Sequence, residues 1–141
     1  MKATYLVIAA LLGFTGGVAR AADPLETSLR QVVDQSAVAY RKEDVAGFMQ
    51  YVHTKSPEYQ QTRERLSKQF VEMDVTTTVT DFRLIGHDDE FAVARMKLKT
   101  TSNAPGFADN VVDQLVLFHQ ENGVWKYWGD YEIGVELLDT K

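Results

Sequence analysis

Two periodicities divide the chain: apolar residues recur every three or four positions from Pro24 to Met73, and alternate from Val75 to Ile133. Asp23-Pro24-Leu25-Glu26 reads as a helix start, with Asp23 as N-cap, Pro24 at the first helical position and Glu26 at the capping-box position. Leu25, Leu29, Val32, Val33, Ala37 and Tyr40 continue on one stripe, predicting a helix to about Arg41. Lys42-Glu43-Asp44 interrupts it, and Val45, Phe48, Met49 and Val52 predict a second, shorter helix. Gly47 inside that helix costs about 1 kcal/mol relative to Ala, which signals a close backbone contact. Ser56-Pro57 repeats the cap-then-proline start, and Tyr59, Leu66, Phe70 and Met73 form the stripe of a third helix.

Val75 to Ile85 is rich in Thr, Val and Phe, as strands are. Its alternation slips, because Val75 and Val79 share one face while Phe82 and Leu84 share the other. One extra residue near Thr80-Asp81 repairs the phase, which predicts a β-bulge and a bend. After the turn His87-Asp88-Asp89-Glu90, the strand Phe91 to Thr101 directs Ala92, Ala94, Met96 and Leu98 inward and Arg95, Lys97 and Lys99 outward. A loop with Asn103, Pro105 and Gly106 leads to Val111 to Gln120, which is apolar on both faces from Leu115 to Phe118 and so reads as a central strand. Asn122-Gly123 is a hairpin signal, and Val124 to Ile133 returns as the last strand. Three helices followed by four antiparallel strands predict an α+β fold with the helices on one face of a strongly bent sheet. A bent sheet wrapped around helices encloses a cone-shaped cavity suited to small ligands.

Composition changes this picture at the N-terminus. Lys2, the apolar run Ala3 to Phe14 and Ala19-Arg20-Ala21 form the charged, apolar and A-x-A regions of a secretory signal. The expected organisation is a signal peptide over 1–21, cut after Ala21 or Ala22, and one domain over 22–141, exported to the periplasm or secreted. The apolar run falls short of the roughly 20 residues needed to cross a bilayer. Loss of Lys2 and Arg20, with no acid lost, takes the net charge from −5 to −7. That acidity disfavours nucleic acid and anionic membrane surfaces as partners. The chain has no cysteine, which excludes disulfides, thiolate metal sites and thiol nucleophiles.

Several segments carry a resemblance. The stretch Tyr40 to Tyr51, the Ser56-Pro57 helix entry, Phe107-Ala108-Asp109-Asn110 and the hairpin Glu121-Asn122-Gly123-Val124-Trp125-Lys126 resemble the nuclear transport factor 2-like superfamily, which includes ketosteroid isomerases and SnoaL-like polyketide cyclases. The resemblance implies the cone-shaped α+β fold, frequent dimerisation through the sheet, and functions that include enzymes, binding modules and assembly domains.

Candidate chemistry lies in two places. Tyr51, His53 and Tyr59 are near the second helix junction, and Trp128, Asp130 and Tyr131 lie on the last strand. Asp130 follows Trp128 by two, which predicts a shared strand face, and an aromatic wall beside a carboxylate raises its pKa. The competing reading of Asp130 is an ion pair with Arg83 or Lys126. His53 is either catalytic or, with Lys55, a cation at a helix C-terminus. Asp81 and Arg83 share a strand face and resemble part of the Asp-Arg-Asp set of epoxide hydrolases in that superfamily; no second matching Asp can be assigned, and a cross-strand charge pair is the favoured explanation. The three scattered histidines give no ligand spacing for a metal, and no phosphate loop or dinucleotide fingerprint predicts a cofactor.

Three functions fit these features. One is an exported domain that binds a small apolar molecule or a protein partner without catalysis, through Tyr51, Tyr59, Trp128 and Asp130. Another is an isomerase, cyclase or dehydratase with Asp130 as base and Tyr51 or Tyr59 as hydrogen-bond donor. The third is an immunity or inhibitor protein whose acidic surface steers it toward a basic partner. The outward residues Leu115 and Leu117 of the central strand need a cover, which predicts a two-fold homodimer through the outer sheet face.

Overall fold

A computed structural model describes residues 23–138; the expected signal segment, 1–21, lies outside them. The first helix, α1 (Pro24–Arg41), starts where expected, with Asp23 Oδ1 accepting from the Leu25 N–H at 2.8 Å and Pro24 in the first turn. Glu26 does not close a capping box. Its Oε2 accepts instead from the Leu84 N–H (2.9 Å), which ties the helix to the sheet. In α2 (Val45–Met49) the Asp44 carboxylate accepts from the Gly47 N–H at 2.8 Å, and a Cβ on Gly47 would collide with that carboxylate. The close contact expected at Gly47 is therefore with the helix's own cap. The third helix, α3 (Tyr59–Glu72), begins later than Ser56-Pro57 predicts. Ser56 is buried, donates to the Trp128 carbonyl (2.6 Å) and accepts from the Glu58 N–H (3.1 Å), so it shapes the turn before the helix.

Four strands follow: β1 (Val75–His87), β2 (Phe91–Ser102), β3 (Asn110–Glu121) and β4 (Val124–Leu137), antiparallel and in sequence order across one sheet. The register of β1 on β2 slips between Val79 and Asp81, the bulge that the broken alternation predicts, and again between Leu84 and Gly86. Past Thr80 the side chains of Phe82 and Leu84 return to the face of Thr77 and Val79. Two further slips lie between β3 and β4, and the sheet curls around the helices without closing. Asn122 and Gly123 both take positive φ, 54° and 79°, as a tight two-residue hairpin requires. β4 runs four residues past the expected end at Ile133, and β3 lies between β2 and β4 as its two apolar faces predict.

The inward residues of β2 and β3 meet α1. Leu29 and Val33 pack on Ala92, Ala94, Met96, Val116 and Phe118, and the two alanines leave room for the helix to approach the sheet. A second cluster, Met49, Val52 and Leu66, joins α2 to α3 with Tyr40 and Phe48 beside it. Between α2 and α3 the chain pairs briefly with β4: the His53 N–H donates to the Tyr127 carbonyl (2.9 Å), and the Tyr127 N–H donates to the Tyr51 carbonyl (2.8 Å). The fold is α+β, with its N-terminal helices held inside a curled antiparallel sheet. Phe118 is fully buried at the centre of the larger cluster. Phe118→Ala should cost about 3–5 kcal/mol, read as a lower urea midpoint at unchanged slope.

Candidate functional site

Between α1, α3 and the inner face of the sheet lies a cavity of about 390 Å³. Its apolar walls include Val33 and Ala37 from α1, Leu66 from α3, Met96 from β2, and Val112 and Val116 from β3. Such a volume is at the small end of ligand pockets, about 300–1,000 Å³.

The polar groups inside are neutral. Ser36 donates to the Val33 carbonyl (2.9 Å), so the Tyr127 hydroxyl, 2.8 Å from Ser36 Oγ, donates to it. Burial pushes the Tyr127 hydroxyl far above its ordinary pKa and fixes it as a donor. Gln69 Nε2 donates to the Tyr40 hydroxyl (2.5 Å), whose pKa burial also raises. Gln114 faces the cavity from β3 at 9% exposure, and its amide makes no hydrogen bond to any described residue. Charge is confined to the opening. Arg65 on α3 stands 4.0 Å from Asp130 on β4, with Glu58 and Glu132 beside them on the lining. Gly129 makes room for Glu58, because a Cβ there would stand 3.1 Å from Glu58 Oε1.

Of the residues singled out in the sequence, Asp130 and Trp128 border this cavity, whereas Tyr51, Tyr59 and His53 do not line it. Tyr51 contributes its backbone to the short pairing with β4, and Tyr59 packs on Met49, Val52 and Leu66. The expected common face for Trp128 and Asp130 does not form. Leu117 pairs with Gly129 and Phe118 with Tyr127, so Trp128 is the extra residue of a bulge, and the two-residue rule fails across it. Asp130 stands opposite Val116 on the cavity side. The Trp128 ring instead packs with His53 (4.9 Å between centroids), His119 (4.8 Å) and Phe91 (5.9 Å). Asp130 takes its cation from Arg65, not from Arg83 or Lys126. Arg83 is exposed opposite Arg95, and Lys126 is held by Glu121 at 2.5 Å. Asp81 and Arg83 are exposed opposite Lys97 and Arg95, and neither lines the cavity.

His53 is buried, and its Nδ1 accepts from the Lys55 N–H at 3.0 Å, so the ring proton is on Nε2. It is thus a turn-forming side chain beside Glu121, which accepts from Lys126 and from the Thr54 N–H and hydroxyl. Among the described residues no group of three or more His, Asp or Glu side chains could hold a metal ion. The sequence left Ser36, Tyr40, Gln69, Gln114, Tyr127 and the Asp130 partner Arg65 unmarked as site residues. Two of them carried a signal: Ser36 interrupts the apolar stripe of α1, and Gln114 interrupts the inward row Val112, Val116, Phe118.

The family model described as the anti-sigma-I factor RsgI9, C-terminal domain, matches residues 31–138. The chain belongs to that family. Its fold is nuclear transport factor 2-like. An NTF2-like protein of unknown function from Pseudomonas putida KT2440 superposes with a TM-score of 0.64 at 10% identity, over 77% of this chain and 84% of that one. A ketosteroid isomerase-like protein from Erwinia carotovora atroseptica SCRI1043 gives 0.57 at 13% identity, over 79% and 98%. The hexachlorocyclohexane dehydrochlorinase LinA-type3 from Novosphingobium barchaimii LL02 gives 0.61 at 9% identity, over 79% and 88%. At such identities the likeness is one of fold. A comparison with curated proteins finds no match.

Behind the cavity of this RsgI9-type domain, the Lys126 ammonium and then the Thr54 hydroxyl lower the Glu121 carboxyl from 4.5 to about 2. A carboxyl depressed by folding adds stability above its unfolded pKa and loses it as pH falls through its folded pKa. Glu121→Gln should therefore cost about 1 kcal/mol at neutral pH, discounted for solvent screening. Urea unfolding at pH 7, 5 and 3 should show the gap between the two proteins narrowing once the pH is below 4.5.

Proposed function

We propose that this domain binds a small, largely apolar molecule in the cavity between α1, α3 and the sheet, without transforming it. The observation that carries this reading is the separation of charge: the inner lining offers hydroxyls and amides, while among the described lining carboxylates Asp130 and Glu132 are solvent-exposed and Asp130 faces Arg65. General acid–base catalysis needs a titratable group within hydrogen-bond reach of the reacting atoms. Tyr40 and Tyr127 are held protonated by burial, and no histidine lines the cavity. The matching family is described as the C-terminal domain of the anti-sigma-I factor RsgI9. Fold likeness to a dehydrochlorinase does not carry its chemistry here, since function is in the site and not the scaffold.

The apolar signal-like segment before Ala22 supports action outside the cytoplasm. The outer sheet face supports pairing of two copies, because Tyr131 is 71% exposed and lies opposite Leu115. A homodimer in sedimentation velocity at micromolar concentration that Tyr131→Asp converts to monomer is the expected result; a wild-type monomer refutes the pairing.

Ligand binding is tested with the mature chain, 22–141, in a thermal-shift screen of small hydrophobic molecules. A ligand at about 100 times its Kd adds about 2.7 kcal/mol, which raises Tm by several degrees in a domain of this size. Ala37→Trp, which fills the cavity from α1, should abolish the shifts while far-UV circular dichroism stays unchanged. Shifts that survive this substitution would place binding elsewhere and refute the assignment.

A further inference from the structure

The opening of the cavity has an excess of negative charge that its own residues do not neutralise. Arg65 faces Asp130 at 4.0 Å, whereas Glu58 and Glu132 form no ion pair among the described residues. Both line the cavity, and Glu58 is more than half buried, lying over the bare backbone of Gly129. Glu132 sits opposite Gln114 in the pairing of β3 with β4. Gln114 supplies the second, independent observation. It is nine-tenths buried as a residue and lines the cavity, and its amide atoms, which have no hydrogen-bond partner among the described residues, stay accessible from the cavity.

These groups are complementary to one chemistry. An ammonium carries three donors, no acceptor and a positive charge, which matches two uncompensated carboxylates and a free amide oxygen. A carboxylate ligand would meet two like charges, and among the described lining residues the one cation, Arg65, faces Asp130 at 4.0 Å. A neutral hydrocarbon would leave Gln114 unpartnered. Resting on the ligand-binding reading above, we infer that the cavity selects a small organic amine, its ammonium group held between Glu58, Glu132 and the Gln114 amide oxygen and its apolar body against Met96, Val112 and Val116. Long-range attraction by the acidic surface then raises the rate of encounter with such a cation.

Three probes with one indole body separate charge selection from binding itself: tryptamine (cationic), 3-methylindole (neutral) and indole-3-propanoate (anionic), each titrated calorimetrically into the mature chain. Tryptamine should bind at least tenfold more tightly than 3-methylindole, with indole-3-propanoate weakest. Glu58→Gln and Glu132→Gln should each weaken tryptamine five- to tenfold and so narrow its advantage over 3-methylindole. On the unaltered protein, raising NaCl from 50 to 500 mM should shrink the tryptamine advantage, because rim charges are screened. Equal binding of tryptamine and 3-methylindole, or tighter binding of the acid, overturns the amine assignment and leaves the cavity reading standing. Tryptamine binding that persists in Ala37→Trp also overturns it. Binding of none of the three overturns the cavity reading and this one with it.

Discussion

Tyr127 is the side chain on which the two halves of the core depend. Its ring stacks on Phe118 of the sheet cluster, 5.2 Å between centroids, and on Phe48 of the helical cluster at 6.0 Å. Its hydroxyl donates to Ser36 of α1, and its backbone pairs with the segment that links α2 to α3. A buried tyrosine hydroxyl without that acceptor would cost about 1–3 kcal/mol, so Ser36 is as necessary as the ring. With both in place, α1 and α2 are fixed at one end of the sheet. The space along α3 and the inner faces of β2 and β3 remains open as the cavity.

The curvature that encloses the space is a property of register. Each slip inserts one unpaired residue, bends the strand and changes which side chains face inward. The slip at Trp128 has the largest consequence. It sends one aromatic ring to His53, His119 and Phe91 and returns Asp130 to the cavity side. Two residues of β4, separated by Gly129, thereby serve different surroundings: the Trp128 ring an aromatic cluster, and Asp130 the charged lining beside Arg65.

Sequence pattern made much of the frame legible. The helical stripes, the Asn122-Gly123 hairpin and the bulge after Val79 follow from period and turn chemistry, which are local properties. The later bulges were not legible, because Tyr127-Trp128 and Ile133-Gly134-Val135 keep an apolar or aromatic residue in either phase. The site was less visible for the same reason. Asp130 was noticed as a carboxylate near aromatics, but its partner, Arg65, is on a helix whose distance from β4 only the folded sheet sets. Ser36 and Gln114 were visible as interruptions of apolar rows, and such interruptions mark either structural hydrogen bonds or ligand contacts. Ser36 proves to be the first kind, satisfied by Val33 and Tyr127. Gln114 has no hydrogen-bond partner among the described residues and opens on the cavity.

That contrast bears on how one scaffold hosts different chemistries. Asp130, Glu132 and Arg65 are at least one-third exposed, so water stabilises their charge and the fold bears little desolvation cost. Deeper in, the same charge would have to be paired or neutralised, and the inner wall of this chain instead carries apolar side chains, hydroxyls and amides. A carboxylate in place of Gln114 would be desolvated, its pKa raised, and positioned against a bound molecule, which is the arrangement acid–base catalysis requires. Glutamine has a similar shape but no titratable proton. At that position the chain retains the means to orient a ligand and lacks the means to exchange a proton with it, so recognition and catalysis diverge at a single inward position of the central strand.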